Sequence, residues 1–262
     1  MNSRLRGMKE DSEDYTMLIH GLQKTTLLDY PGKVACTVFF GGCDLRCPFC
    51  HNAGLVLSPE EAPTIPVQEF FSFLGKRRGI LDGVCFTGGE PLMQRDIADL
   101  IRGIKQMGFL VKLDTNGTYP ERLMELTDEG LVDYVAMDIK SSRENYQKAV
   151  GIRGFDTAKV ERSAEHIMSC GVDYEFRTTA AKGLIEASDF AAIGEWLKGA
   201  KRYFIQAFRD GDSLLYKTAR AESESLMPPP IPELSEFTAE ELHAFADIVR
   251  PYFFEVGVRG ID

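Results

Sequence analysis

No stretch of the 262-residue sequence approaches the ~20 consecutive apolar residues of a membrane span. Basic residues are the minority, 30 against 40 acidic, for a net charge of −10. That balance lacks the basic face needed for electrostatic binding of nucleic acid, and it carries no polybasic signal for an anionic membrane surface. Neither nucleic acid nor membrane is therefore expected as a partner. Met1 to Asp14 is too rich in charge for a signal peptide, so a cytoplasmic protein is expected. Thiols stay reduced in that compartment, and the six cysteines are not read as three disulfides. The glycosylation-type triplet Asn116-Gly117-Thr118 has no use there either. Also missing is any Ser/His/Asp or Glu/His constellation; His20, His166 and His243 stand alone and read as solvated or packed. No internal repeat beyond a strand–helix unit and no boundary demanding a second domain is found.

What is present is a chain with 44% hydrophobic residues, enough for the core of one α/β domain. Residues 1–16 read as a flexible leader with little to bury, and residues 17–262 as the domain. The β-branched run Val34–Phe40 reads as a buried strand, and Val84–Phe86, Phe109–Leu113, Tyr134–Met137, Tyr174–Arg177 and Tyr203–Gln206 read as further strands. Between them apolar residues fall at helical spacing: Val67, Phe70, Phe71 and Leu74, then Ile97, Leu100, Ile101, Ile104 and Met107. Val160, Ala164, Ile167 and Met168 make another stripe, closed by Gly171, and Phe190, Ile193, Trp196 and Leu197 another. Alternating strands and helices imply a parallel sheet, and six units fit an incomplete (β/α)6 TIM-like barrel with its chemistry at the strands' C-terminal ends. After Arg209 a C-terminal extension is expected, with Met227–Pro232 extended, a capping box of Thr238 and Glu241 opening a helix, and a terminal strand at Phe253–Val256.

The most informative stretch is Gly41 to Asn52, which places Cys43, Cys47 and Cys50 on a loop directly after the first of these strands. Thiolates so spaced can converge on a soft metal centre, and three cysteines leave one iron of a four-iron cubane without a thiolate, open to a substrate. The same three cysteines with His51 could make a structural Cys3His zinc site, and the triplet alone leaves both readings open. The other strand ends carry Thr87-Gly88-Gly89-Glu90-Pro91, Asp114-Thr115-Asn116-Gly117 and Asp138-Ile139-Lys140. Two glycines let backbone approach a ligand closely. Carboxylates at barrel strand ends are costly unless paired, so Asp114 and Asp138 are not read as plain core residues. Cys36, Cys85 and Cys170 read as small core hydrophobes, and no second cysteine cluster follows the triplet.

Cys43-x3-Cys47-x2-Cys50, with Phe49 before the third cysteine, resembles the radical S-adenosylmethionine (SAM) enzymes, and the continuation His51-Asn52 resembles the activases of glycyl-radical enzymes. The lead-in Leu27 to Lys33 looks like that of the activating proteins of anaerobic ribonucleoside-triphosphate reductase. The resemblance covers about residues 18 to 210 and implies a single [4Fe-4S] cluster on the three cysteines, SAM as cosubstrate and a barrel fold. It implies that Gly88, Gly89 and Glu90 hold the SAM amino group, that Asp114, Thr115 and Asp138 share a monovalent cation near the methionine part, that Ile139 belongs to a turn facing that part, and that Lys140 lies by its carboxylate. Arg177 is expected near the ribose or carboxylate, and His51 beside the cluster. Arg209 stands where the pyruvate formate-lyase activases carry a histidine, which favours the reductase assignment. The implied activity is reductive cleavage of SAM to a 5′-deoxyadenosyl radical and installation of a glycyl radical on a partner, anaerobic ribonucleotide reductase first, with a flavodoxin or ferredoxin as reductant. Another glycyl-radical enzyme, a small-molecule substrate, or a non-enzymatic zinc or electron-transfer module are the competing expectations.

Overall fold

A computed structural model describes residues 17–222 and 233–261; the expected leader 1–16 and the run Met227–Pro232 lie outside the described residues. The strands are β1 (Ile19–Thr26), β2 (Ala35–Phe40), β3 (Gly83–Gly88), β4 (Leu110–Thr115), β5 (Tyr134–Asp138), β6 (Asp173–Ala180), β7 (Arg202–Ala207) and β8 (Glu255–Arg259). They form one sheet in chain order, with β1 and β8 as its edges. All neighbours from β2 to β8 run parallel, whereas β1 pairs antiparallel with β2. Helices α1 (Ala53–Leu57), α2 (Val67–Gly75), α3 (Ile97–Gln106), α4 (Pro120–Asp128), α5 (Tyr146–Val150), α6 (Ala158–Ser169), α7 (Ala187–Trp196), α8 (Leu215–Glu222) and α9 (Ala239–Val249) connect and follow them. This is the α/β open barrel that strand–helix alternation implies. Among the described residues no helix is long and apolar enough to cross a membrane.

The expected stripes bury as their spacing demands. Ile97, Leu100, Ile101 and Ile104 of α3 are each 2% exposed or less, and each such side chain contributes about 1.5–3 kcal/mol on burial. They meet the face of the sheet that carries Val84, Phe86, Val111 and Leu113. The capping box at α9 is present, Thr238 Oγ1 accepting from Glu241 N at 3.2 Å and Glu241 Oε2 accepting from Thr238 N at 2.7 Å. The terminal strand starts two residues later than expected. β1 was not expected at all. Its exposed residues include Gln23, Lys24 and Thr25, and two register shifts interrupt its pairing, so it presents no clean alternation.

The opposite face of the sheet is polar, unlike the branched apolar filling of a closed barrel. Lys112, Asp114, Asp138, Glu175, Arg177 and Arg259 share it, by the strand registers. Lys112 and Glu175, each 1% exposed, are neutralised rather than abandoned: Lys112 pairs with Asp114, and Arg259 forks onto Glu175 at 2.7 and 2.8 Å. Near the N-terminal ends of the strands this face opens on a cavity of about 640 Å³ beside Tyr30, Tyr134, Glu175 and Arg202. Its carboxylates are ion-paired, and it lies at the end of the sheet away from the cysteine loop.

Candidate active site

The cysteine loop leaves the C-terminal end of β2 and returns into α1. Backbone and side-chain hydrogen bonds hold it on several sides: Gly42 N donates to Leu55 O at 2.7 Å, Arg46 N to Val150 O at 2.9 Å, and Leu215 N to Cys50 O at 2.9 Å. Arg46 folds back to donate to the carbonyls of Cys43 and Leu45 at 2.6 and 2.8 Å. His20, expected as solvated or packed, is packed here and accepts from Gly41 N at 2.9 Å through Nδ1. The Sγ atoms are therefore presented by a braced loop, not by a flexible one.

The turn after β3 is pressed against it. Gly89 N donates to Phe40 O at 2.8 Å and Glu90 N to Gly42 O at 2.9 Å. A Cβ at Gly89 would lie 1.9 Å from Gly42 O, and Gly88 has φ +112° with a virtual Cβ 2.5 Å from the Phe40 backbone. Both positions require glycine, one by contact and the other by conformation as well. Asn52 Nδ2 closes the joint by donating to Gly88 O at 2.9 Å.

Between these turns and the ends of β4, β5 and β6 lies a cavity of about 220 Å³. Cys43, Cys47, Phe49, Cys50 and His51 line it from the loop, Gly88 and Gly89 from β3, and Asp114, Thr115, Asp138 and Lys140 from β4 and β5. So the structure brings most of the expected site residues onto one cavity. Arg177 lies beneath its floor, donating to Asp138 at 2.9 Å and to Asp114 at 3.2 Å. Lys140 pairs with Asp138 at 3.0 Å and stands 5.7 Å over the Phe49 ring. Burial would raise the Asp138 carboxyl, but Arg177 and Lys140 hold it down at about 2. Burial likewise would lower the Lys140 ammonium; Asp138 and the nearby Cys47 keep it charged.

Three expectations are corrected by the geometry. Glu90 is fully buried and does not line the cavity. Its oxygens accept from Leu92 N at 3.0 Å, Thr115 Oγ1 at 2.9 Å and Asn116 N at 2.8 Å, so it ties the β3 and β4 turns together instead of meeting an ammonium. Burial outweighs those donors and pushes it up to about 7. Arg209 turns away, donating to Gly260 O at 2.7 Å and Glu236 at 3.3 Å, and does not line the cavity. Ile139 is fully buried off the cavity, its backbone joined to β6. Thr115 reaches the cavity, and its hydroxyl donates to Glu90 at 2.9 Å. His51 is exposed, with its ring 6.2 Å from that of Phe208. The lead-in Leu27 to Lys33 folds at the N-terminal end of β2, where Asp29 accepts from the Thr37 hydroxyl at 2.5 Å; it is remote from the cavity. Asn52, Asn116 and Thr179, which also line it, were missed. The first two follow a Cys-His pair and an Asp-Thr pair in the very motifs that were singled out.

The donor set fits an iron–sulfur cluster. Soft thiols converge with no competing imidazole cage. Burial raises Cys43 and Cys50 and pushes Cys47 up to about 12, with Lys140 opposing it at Cys47 and Cys50. Such thiols stay protonated until a metal displaces the proton. Among the described residues no three His, Cys, Asp or Glu side chains gather closely enough for a single metal ion.

Residues 37–189 match the sequence model of the radical SAM superfamily. A Methanocaldococcus jannaschii protein, provisionally named a glycyl-radical enzyme activating enzyme, is 31% identical over 249 residues, 94% of this chain and 97% of that one. The pyruvate formate-lyase-activating enzyme of Clostridium pasteurianum is 33% identical over 149 residues, 53% of this chain and 60% of that one. Among solved structures, SuiB of Streptococcus suis superposes with a TM-score of 0.59 at 13% identity over 84% of this chain and 47% of its own. A domain of a pyruvate-formate lyase-activating enzyme from Bacteroides vulgatus gives a TM-score of 0.50 at 17% identity, covering 68% of this chain and 99% of that one. The structural likenesses speak to fold alone.

Proposed function

The chain belongs to the radical SAM superfamily, and on that premise we propose that it activates a glycyl-radical enzyme, with anaerobic ribonucleoside-triphosphate reductase as its partner. The observation that carries this reading is the convergence of Cys43, Cys47 and Cys50 with Gly88, Gly89, Asp138 and Lys140 on one cavity at the C-terminal ends of the strands. The three thiolates would hold three irons of a [4Fe-4S] cluster and leave the fourth to SAM. When bound, the cluster supplies the electron that splits the sulfonium of SAM into methionine and a 5′-deoxyadenosyl radical able to take hydrogen from a glycine Cα.

The chain's own contribution is position and electrostatics. Gly88 and Gly89, held to glycine by the Phe40 and Gly42 backbone behind them, line the cavity with main-chain atoms suited to the amino group of SAM. Lys140, kept cationic by Asp138, presents an ammonium to the thiolates and to a carboxylate. Arg177 keeps Asp138 ionised from below and bridges it to Asp114. The charges of Asp114 and Asp138 are thus met by Lys112, Arg177 and Lys140, and the reading needs no monovalent cation there. Leu45, Phe49 and Val56 give the cavity an apolar wall that limits water.

Two measurements test the proposal. Anaerobic reconstitution with iron and sulfide, followed by SAM and dithionite, is expected to yield 5′-deoxyadenosine, and Cys43→Ala, Cys47→Ala or Cys50→Ala is expected to abolish it. Tightly held zinc, or cleavage that survives these substitutions, would refute it. A glycyl-radical electron paramagnetic resonance (EPR) doublet on the co-purified reductase supports the partner named. The doublet on a formate-lyase-type protein instead supports the second reading, which the similarity to the Clostridium enzyme favours and which Arg209, turned off the cavity, does not oppose.

A further inference from the structure

Asn116 follows β4 and is 6% exposed. Its Oδ1 accepts from Thr118 N at 2.9 Å and from the Thr118 hydroxyl at 2.7 Å. Those donors orient the amide, because a flipped amide would set its NH2 against the Thr118 N–H. The Nδ2 group then faces the cysteine loop, 2.9 Å from Asp44 Oδ1 and 3.8 Å from Cys43 Sγ. At its other end the residue is anchored by its backbone N–H, which donates to Glu90 at 2.8 Å. A side chain from β4 is therefore locked across 73 residues of sequence onto a thiol of the loop.

The three thiols do not share one environment. Cys47 and Cys50 lie near both the Lys140 ammonium and the Asp138 carboxylate, whereas Cys43 lies near Glu90 and Asp44. Cys43 receives neutral donors: Leu45 N at 3.4 Å and the Asn116 amide at 3.8 Å. N–H groups aimed at a ligating sulfur stabilise the extra negative charge of a reduced cluster, and so raise its potential.

Resting on the reading that these thiols carry a four-iron cluster, we propose that Asn116 is a positioning residue that donates Nδ2–H to the Cys43 sulfur, raising the reduction potential of the cluster and retaining iron at that corner. It acts through Cys43.

The test uses the full chain, reconstituted anaerobically, and two variants. Asn116→Asp keeps an oxygen for Thr118 and turns a carboxylate oxygen toward Cys43 and Asp44, while Asn116→Ser withdraws the whole arm. The midpoint potential is read by EPR-monitored titration without SAM, and iron retention by loss to a chelator. The expected result is a more negative potential in both variants, more so for Asn116→Asp, with iron released about 10-fold or more faster. A wild-type potential in a variant that retains its cluster overturns the proposal, as does faster iron loss with the potential unmoved, which a purely structural role would give. Should neither variant fold, Asp44→Ala removes the competing acceptor together with its charge; the potential is then expected to rise, and no change or a fall overturns the proposal. If the wild-type chain itself assembles no four-iron cluster, the functional reading has failed instead, and the two failures are distinguishable.

Discussion

Arg177→Met removes a guanidinium while keeping most of the volume of the side chain, and it probes the charged floor of the cavity directly. Arg177 is 11% exposed and joins Asp114 (15%) to Asp138 (28%). Taking one partner from a buried ion pair costs about 3–5 kcal/mol, because the remaining charge is stranded. Here Asp114 keeps Lys112 and Asp138 keeps Lys140, and Asp138 retains contact with water, so the lower end, about 3 kcal/mol, is expected at neutral pH. The pH dependence follows from Asp138. Its folded-state value, about 2, lies below the ordinary 3.8. Its stabilising contribution is therefore complete above 3.8 and is lost as pH falls from there toward 2. A depression of about two units corresponds to roughly 2.5 kcal/mol, the same order as the cost of the substitution. In the variant the Asp138 carboxyl rises, so the penalty should be largest near neutrality and shrink as acid protonates it. Urea unfolding of the anaerobic protein near neutral pH and at about pH 3, inside that window, for wild type, Arg177→Met and Arg177→Lys, measures both effects. Arg177→Lys should recover part of the loss through its charge but not its fork. Equal destabilisation at the two pH values, or a loss below about 1 kcal/mol, would show that the floor is not held by these ion pairs.

Gly89→Ala is expected to destabilise by about 1–3 kcal/mol or more, since its Cβ would meet a carbonyl oxygen of the cysteine loop, and to lower iron content after reconstitution. Gly75→Ala at the end of α2, where a Cβ meets nothing within 4 Å, should be neutral or stabilising; similar losses at both positions in thermal melts would contradict the steric account. Ser141 Oγ is buried with no hydrogen-bond partner, so Ser141→Ala should leave stability unchanged or raise it by about 1 kcal/mol. A loss of that size in urea unfolding would mean the hydroxyl has a partner in solution.

Two kinds of residue escaped a reading of the chain. β1 escaped because an edge strand with polar side chains and shifted register has no strong period. Glu90 and Arg209 were placed by analogy of position, yet the direction of a side chain after a strand depends on what packs beside it. Glu90 found donors on the next turn, 25 and 26 residues on, and Arg209 found Gly260 and Glu236. Asn116 sat inside a motif already singled out, but its use lies in a contact with Cys43 that no local pattern announces.

The sequence by itself determined the strand–helix alternation, the buried stripes, the three-cysteine loop and the glycine and aspartate turns at strand ends. These depend on periods and spacings of a few residues, which the geometry of a single helix, strand or turn dictates. Only the tertiary structure decided which polar groups face the cavity and which brace it. Arg177 reaches Asp114 across 63 residues and Arg259 reaches Glu175 across 84. Such pairings depend on strand order and register, and on how each buried charge is neutralised once water has been excluded.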